Sequence, residues 1–323
     1  MLPGILCAAA LAAVAFACAR FVPLVGAPVF AIVFGVALRT LAPLPDALRP
    51  GLAFAARTVL QIAIVVSGLG LSLAVVVRTG VGTLPVTLGT VAVALILAPL
   101  LGRALAQRRA LQTLIGVGTA ICGASAIAAV ATVIEPDESE IALAIATVFF
   151  YNVLAVLVFP PIGHALQLSQ ASFGLWAGTA INDTSSVVAA GFAYGKEAGQ
   201  YATIVKLTRA TLILPIVAAL AVQRARAMRA ASRTIPWPHI VPWFILWFLC
   251  AALLNGSGIV PPAWHDAIVT VAIFLISAAL AAIGLQTELP KLLRAGARPL
   301  LLGFALWVAV ALSSLAIQRA TGL

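Results

Sequence analysis

Charge is what this sequence has least of. Asp, Glu, Lys and Arg make up 9% of its 323 residues, where a soluble domain carries about 25%. That scarcity excludes an ordinary water-facing surface. The three His are scattered, and Cys7, Cys18, Cys122 and Cys250 all sit inside apolar runs. These placements exclude a disulfide framework and a zinc-ligand spacing, and no metal or cofactor is expected. The sequence contains no His-Glu-x-x-His, no Gly-x-Ser-x-Gly and no clustered carboxylates within its apolar runs, so an enzyme is not expected. No soluble domain is present to transmit a signal, which argues against a sensor.

What the chain has in abundance is hydrocarbon. Hydrophobic residues reach 63%, with a mean hydropathy of +1.16. Runs of roughly 20 apolar residues recur along the whole length, the signature of transmembrane helices. The fold class is therefore all-α, a polytopic membrane protein forming one transmembrane domain over 1–323 in the lipid bilayer. Eleven apolar segments are counted. The first six are Leu2–Ala19, Val25–Leu41, Val59–Val77, Leu84–Leu101, Leu111–Ile134 and Ile141–Phe159, the last ended by Pro160-Pro161. The other five are Leu175–Tyr194, Tyr201–Val222, His239–Leu254, Ala267–Leu285 and Leu300–Ile317. Ala17-Cys18-Ala19 resembles a signal cleavage site, but no Lys or Arg precedes the first run, so it is read as a retained helix. Trp237, Trp243 and Trp264 near segment ends read as interfacial anchors.

The net charge of +10 does not point to nucleic acid, because the basic residues cluster in short connections. Connections after even-numbered segments hold 13 Lys and Arg, among them Arg39, Arg57, Arg103 and Arg108, and those after odd-numbered segments hold 4. By the positive-inside rule the even side is cytoplasmic, with the N-terminus inside and the C-terminus outside. The acidic Glu135-Pro136-Asp137-Glu138 connection then falls outside.

Internal echoes suggest a repeat. Gly70-Leu71 through Arg78-Thr79-Gly80 resembles Gly284-Leu285 through Arg294-Ala295-Gly296. The flanking helices have opposite orientation, which fits one extra helix plus two inverted five-helix repeats. A second pair, Gly118-Thr-Ala-Ile and Gly178-Thr-Ala-Ile, falls on the fifth and seventh segments. Counted as spans these are parallel, so the pair has no place in an inverted repeat.

Those two stretches are also the candidate site. Small and polar residues in the middle of a membrane helix invite a break, and backbone freed there must be satisfied by protein or by a water-filled cavity. Breaks are expected near Cys122-Gly123, with Ser125 opening the second half, and near Asn182-Asp183. There Asp183 or Thr184 would cap a half-helix running to Gly191. A half-helix N-terminus suits an anion. Thr119, Cys122, Ser125, Asn182, Asp183, Thr184, Ser185 and Ser186 are the polar candidates, joined by Lys206 and Arg209 one turn apart on the next segment. Ionisable residues in a membrane are functional by default. Asp183 and Arg209 fall at one depth, so Asp183 is expected to neutralise one cation until an anion displaces it. Asn152 on the sixth segment reads as a pathway group or as a hydrogen bond between helices, and Gln286-Thr287-Glu288 as a cytoplasmic cap that ends the tenth helix.

At Gly116–Ala129, Gly174–Val187, Val205-Lys-Leu-Thr-Arg and the Gly-Leu-Gln-Thr turn near residue 285, the chain resembles the YeiH-type family of bacterial inner-membrane proteins, often labelled sulfate exporters. The resemblance spans nearly the whole chain. It implies a distant relation to the bile-acid symporter and cation–proton antiporter superfamily, hence inverted five-helix repeats with crossed, broken helices at the midplane, in the bacterial inner membrane. Members usually carry His where this chain has Asn182. The expected function is a secondary transporter exporting a small, sulfate-like anion, coupled to protons or sodium; a homodimer is left open. The competing readings are a cation–proton or sodium-coupled exchanger centred on Asp183 and a non-transporting membrane protein.

Overall fold

Two of the apolar segments do not cross the bundle; they turn back half-way. A computed structural model describes residues 1–21, 26–228, 243–287 and 296–323. Trp237, the start of the ninth segment at His239, Glu288, and Arg229, Arg233, Lys291 and Arg294 lie outside the described residues. The first helices are α1 (Leu2–Ala19), α2 (Ala27–Leu41), α3 (Arg49–Phe54), α4 (Leu60–Gly68), α5 (Leu73–Gly82) and α6 (Leu84–Ala104). Then come α7 (Arg109–Ala120), α8 (Ala124–Ile134), α9 (Glu138–Ala165), α10 (Gln170–Ala180), α11 (Thr184–Tyr194), α12 (Lys196–Thr211) and α13 (Ile213–Met228). The last three are α14 (Trp243–Gly256), α15 (His265–Gln286) and α16 (Ala297–Thr321). The protein is all-helical among the described residues, with seven helical stretches long and apolar enough to cross a membrane and shorter apolar helices between them.

The first turn-back is α7–α8. Arg108, just before α7, makes a 3.0 Å ion pair with Asp137, just after α8. Both side chains are exposed, so the pair contributes only about 0–1 kcal/mol. Its value is as a ruler, because a straight helix from 109 to 134 would hold its ends about 38 Å apart. Gly118 lets the arms close, since a Cβ there would sit 2.8 Å from Ile127. The second turn-back is α10–α11. The Gln170 side-chain oxygen accepts from the amides of Glu197 and Ala198 at 2.9 and 3.1 Å, the Tyr194 hydroxyl donates to the Leu168 carbonyl, and Phe173 stacks on Tyr194. Each arm is 11 or 12 residues, about 17 Å, or half a bilayer core.

Between the hairpins runs α9, 28 residues long and about 42 Å. It opens with a capping box at Asp137 and Glu140, beside the first hairpin's mouth, and closes with His164 stacked on Tyr194, at the second's. The hairpins therefore enter from opposite ends and meet tip to tip. Matching Schellman-type turns deliver the chain to both: Ala106 and Gln167 have φ of 53° and 51°, and the amides of Gln107 and Leu168 reach back to the carbonyls of Gly102 and Gly163. The two Gly-Thr-Ala-Ile stretches are thus antiparallel and equivalent. They do belong to an inverted repeat, which the reading of parallel spans had excluded.

Other segments shift too. Pro160 and Pro161 do not end their helix; α9 continues to Ala165, because its last turn packs under Phe173 and Tyr194 and free backbone is costly in a membrane. The third segment is displaced: the helical stretch runs from Asp46 to Gly68 through a π-helical turn at Ala55–Val59, and Ser72 caps a separate α5. The eighth segment starts at Lys196 and is interrupted at Leu212.

Around the hairpins, α2 lies tightly along α15. A Cβ on Gly284 would meet the Ile32 carbonyl at 2.5 Å and the Gly35 Cα at 3.0 Å. A Gly284→Val substitution is expected to cost about 1–3 kcal/mol by forcing the pair apart, read as a lowered melting temperature of the purified protein. The hairpin mouths give a second expectation. Single cysteines at Ala106 and Ser139 should be labelled by an impermeant maleimide from the same face of the membrane, and one at Gln167 from the other. Labelling of Ala106 and Ser139 from opposite faces would show that the first hairpin crosses.

Candidate functional site

Where the hairpin tips meet, four helix ends converge: the C-termini of α7 and α10 and the N-termini of α8 and α11. Gly123 makes the first turn possible, with φ of 65° and ψ of −130°, a conformation only glycine adopts cheaply. A Cβ there would lie 3.6 Å from the Asn152 amide nitrogen and 3.7 Å from the Asp183 Cβ, so the tips are in contact.

The two C-termini leave carbonyls without helical partners, and Lys206 and Arg209 of α12 satisfy them. Lys206 Nζ donates to the carbonyls of Ile121 at 2.7 Å and Ile181 at 3.0 Å. Arg209 donates through Nε to Ala120 at 2.6 Å, through Nη2 to Thr119 at 2.9 Å and through Nη1 to Thr179. The pairing follows the repeat: Lys206 takes the two equivalent isoleucines, Arg209 the two equivalent threonines. Glycines bring α12 this close, since Cβ atoms on Gly178 and Gly191 would meet Val205 and Gly199 within 2.8 Å. Both cations are fully buried. Desolvating them costs several kcal/mol each. Two helix C-termini, about half a negative charge apiece, and five carbonyls offset that cost.

The N-termini are treated differently. Asp183 caps α11: its carboxylate accepts from the Ser186 amide at 3.2 Å and from the Ser185 hydroxyl, while its own amide donates to Asn152 Oδ1 at 3.3 Å. The N-terminus of α8 has Gly123 at its cap and no capping side chain. Both ends open on a cavity of about 900 Å³ lined by Cys122, Ser125, Asn152, Asp183, Thr184 and Ser185, and also by Arg57 and Gln61. Among the described residues Arg57 makes no ion pair with any acid.

The family model described as "Conserved hypothetical protein 698" matches residues 3–303, and a UPF0324 membrane protein of Streptococcus pyogenes serotype M18 is 41% identical over 100% of this chain and 98% of its own. The chain belongs to the UPF0324 family of membrane proteins. A UPF0324 protein of Streptococcus pneumoniae serotype 4 is 41% identical over 94% of this chain and 92% of its own. One from Fusobacterium nucleatum is 37% identical over 99% and 98%. This agrees with the YeiH-type resemblance. No solved structure matches the chain.

In this UPF0324 protein the expected breaks fall at Ile121–Gly123 and Ile181–Asp183. Cys122, Ser125, Asp183, Thr184 and Ser185 come together on the cavity. Ser186 sits behind them, bonded to Asp183, and Thr119 contributes its carbonyl to Arg209. Asn182 is buried, and its side-chain oxygen has no hydrogen-bond partner among the described residues. The expected pairing of Asp183 with Lys206 or Arg209 is not present: among the described residues no ion pair joins them. Each charge instead neutralises a helix end of opposite sign, the carboxylate at an N-terminus and the cations at C-termini. Nor do Lys206 and Arg209 line the cavity, so neither places its charge on the cavity wall. Asn152 serves both as an inter-helix bond and as cavity wall. Arg57 and Gln61 are not singled out by the sequence reading, which places Arg57 in a connection because an apolar run follows it; its i, i+4 relation to Gln61 along an apolar helix is the available signal.

Truncating Arg209 strands three carbonyls and truncating Lys206 strands two, at about 1–3 kcal/mol each. Arg209→Ala is expected to lower the melting temperature more than Arg57→Ala, with Lys206→Met between them, measured by thermal unfolding of the purified variants. Equal stability of all three would mean the hairpin tips do not depend on the clamp.

Proposed function

We propose that this protein is a secondary transporter, not an enzyme, that exports a small anion across the bacterial plasma membrane through the cavity at the hairpin tips. The observation that carries the reading is the division of labour among the four helix ends. Lys206 and Arg209 are committed to the C-termini and Asp183 to one N-terminus, while the N-terminus of α8, with no capping side chain, and Arg57, which has no ion pair among the described residues, face the same cavity. An anion there gains backbone N–H donors and a guanidinium. Two inverted hairpins sharing one site supply equivalent routes to either side, the arrangement alternating access requires. A bound anion and Asp183 repel at close range, and a proton or sodium ion entering with the anion would offset that repulsion.

A second reading, cation exchange centred on Asp183, is favoured by the buried and unpartnered Asn182 oxygen beside it, an acceptor suited to a cation. The two readings separate on one experiment. Under anion transport, chloride, sulfate or an organic sulfonate raises the melting temperature of the purified parent, Arg57→Gln loses at least about tenfold in anion affinity, and Asp183→Asn keeps it. Under cation exchange, sodium or pH shifts the parent, Asp183→Asn abolishes the shift, and Arg57→Gln does not matter. A folded Arg57→Gln variant that binds every anion like the parent would sink the first reading.

The orientation is part of this proposal. Arg103 and Arg108 flank the first hairpin's mouth, and Arg298 lines a second, 520 Å³ cavity with Arg108. The positive-inside rule makes that end cytoplasmic, with the N-terminus inside and the C-terminus outside. Because the first hairpin turns back, the Glu135–Glu138 connection joins this cytoplasmic end and not the outer one.

A further inference from the structure

The cavity is larger and more apolar than an inorganic oxyanion needs. We infer that the transported species is an organic monoanion, a carboxylate or sulfonate carrying an apolar body, and not sulfate itself; this rests on the anion-transporter reading. Three observations carry it. The first is size: about 900 Å³ is the scale of pockets that enclose small organic ligands, 300–1,000 Å³, many times the space of one tetrahedral ion. The second is the division of the wall. The polar groups come from the hairpin tips, α9 and Arg57, whereas Ile145 and Phe149 of α9, Ile213 of α13, Trp243 and Phe244 of α14 and Ile283 of α15 present hydrocarbon to the same space. A site for a bare oxyanion has no use for that surface, and a fully hydrated ion gains nothing from it. An aryl or alkyl body removes it from water, which is favourable in proportion to the area covered.

The third is charge. Of the charged side chains near the tips, Lys206 and Arg209 are occupied by five carbonyls and Asp183 by the α11 N-terminus. Among the described residues, Arg57 is the one full positive charge lining the cavity and Asp183 the one acid, which opposes a second negative charge. Burial cost rises steeply with charge, so a monoanion matched to Arg57 is favoured over a dianion. The apolar wall then supplies the affinity that the charge alone does not.

The test is calorimetric titration of the full-length protein in lipid nanodiscs with benzenesulfonate, sulfate and chloride. Benzenesulfonate is expected to bind at least about tenfold more tightly than either inorganic ion, on the scale that apolar groups contribute in a matched pocket. Ala128, which faces the cavity, offers a second arm: Ala128→Phe fills the apolar space and should weaken benzenesulfonate at least about tenfold while leaving a folded protein. Phe149→Ala should weaken it too, by removing wall, if the first variant does not fold. Sulfate binding as tightly as benzenesulfonate in the parent overturns the inference and leaves the anion-transporter reading standing. Failure of all three anions to bind the folded parent overturns both.

Discussion

Five backbone carbonyls hold this structure's centre together through two side chains. A helix that stops half-way across a membrane leaves its last carbonyls with neither water nor helix to bond, at several kcal/mol apiece. The C-termini of α7 and α10 both stop there, and Lys206 and Arg209 answer both. Without them the two hairpins would have to lengthen into continuous helices or separate. With them, α10, α11 and α12 are tied to α7 from the opposite end of the bundle, and the tips stay in register.

The same dipole argument explains the cavity. Opposed hairpins bring N-termini together as well as C-termini. Filling the C-termini with cations from α12 leaves the N-termini on the other side of the tip, where they meet Asp183, Asn152 and, from the π-bulged helix, Arg57. One N-terminus is capped by the chain's own carboxylate and its symmetry mate is not. The asymmetry lies within a symmetric frame: the repeat supplies two positive helix ends, and the sequence difference at Gly123 and Asp183 leaves one of them without a capping side chain, the end that the proposed transport reading gives to the anion.

Much of this was legible before the fold was known. Cys122-Gly123 and Asn182-Asp183 mark the breaks because small and polar residues in the middle of a membrane helix invite one, and an Asp N-cap has recognisable chemistry. Lys206 and Arg209 stood out because charge in a membrane segment is rare. What could not be read was their partners. A carbonyl has no sequence signature, so two cations and one acid at similar depth looked like an ion pair. The hairpins were hidden for a related reason: an apolar stretch of two half-helices has the length and hydropathy of one spanning helix. Contacts across the hairpin mouths, such as Arg108 with Asp137 and Gln170 with Glu197, distinguish the two.

By itself the sequence determined that the chain is an all-helical membrane protein, which of its residues break helices, and which few charges are buried, since these depend on local composition, backbone conformation and the cost of burying charge. The tertiary structure alone decided that segments five and seven turn back, that Gly118-Thr-Ala-Ile and Gly178-Thr-Ala-Ile are equivalent, that the cations serve carbonyls and not Asp183, and that Arg57 faces the cavity. Each of these is a choice of partner across many tens of residues. Several partners were chemically acceptable at every position, and it is the packing of α12 between two opposed hairpins that selects one.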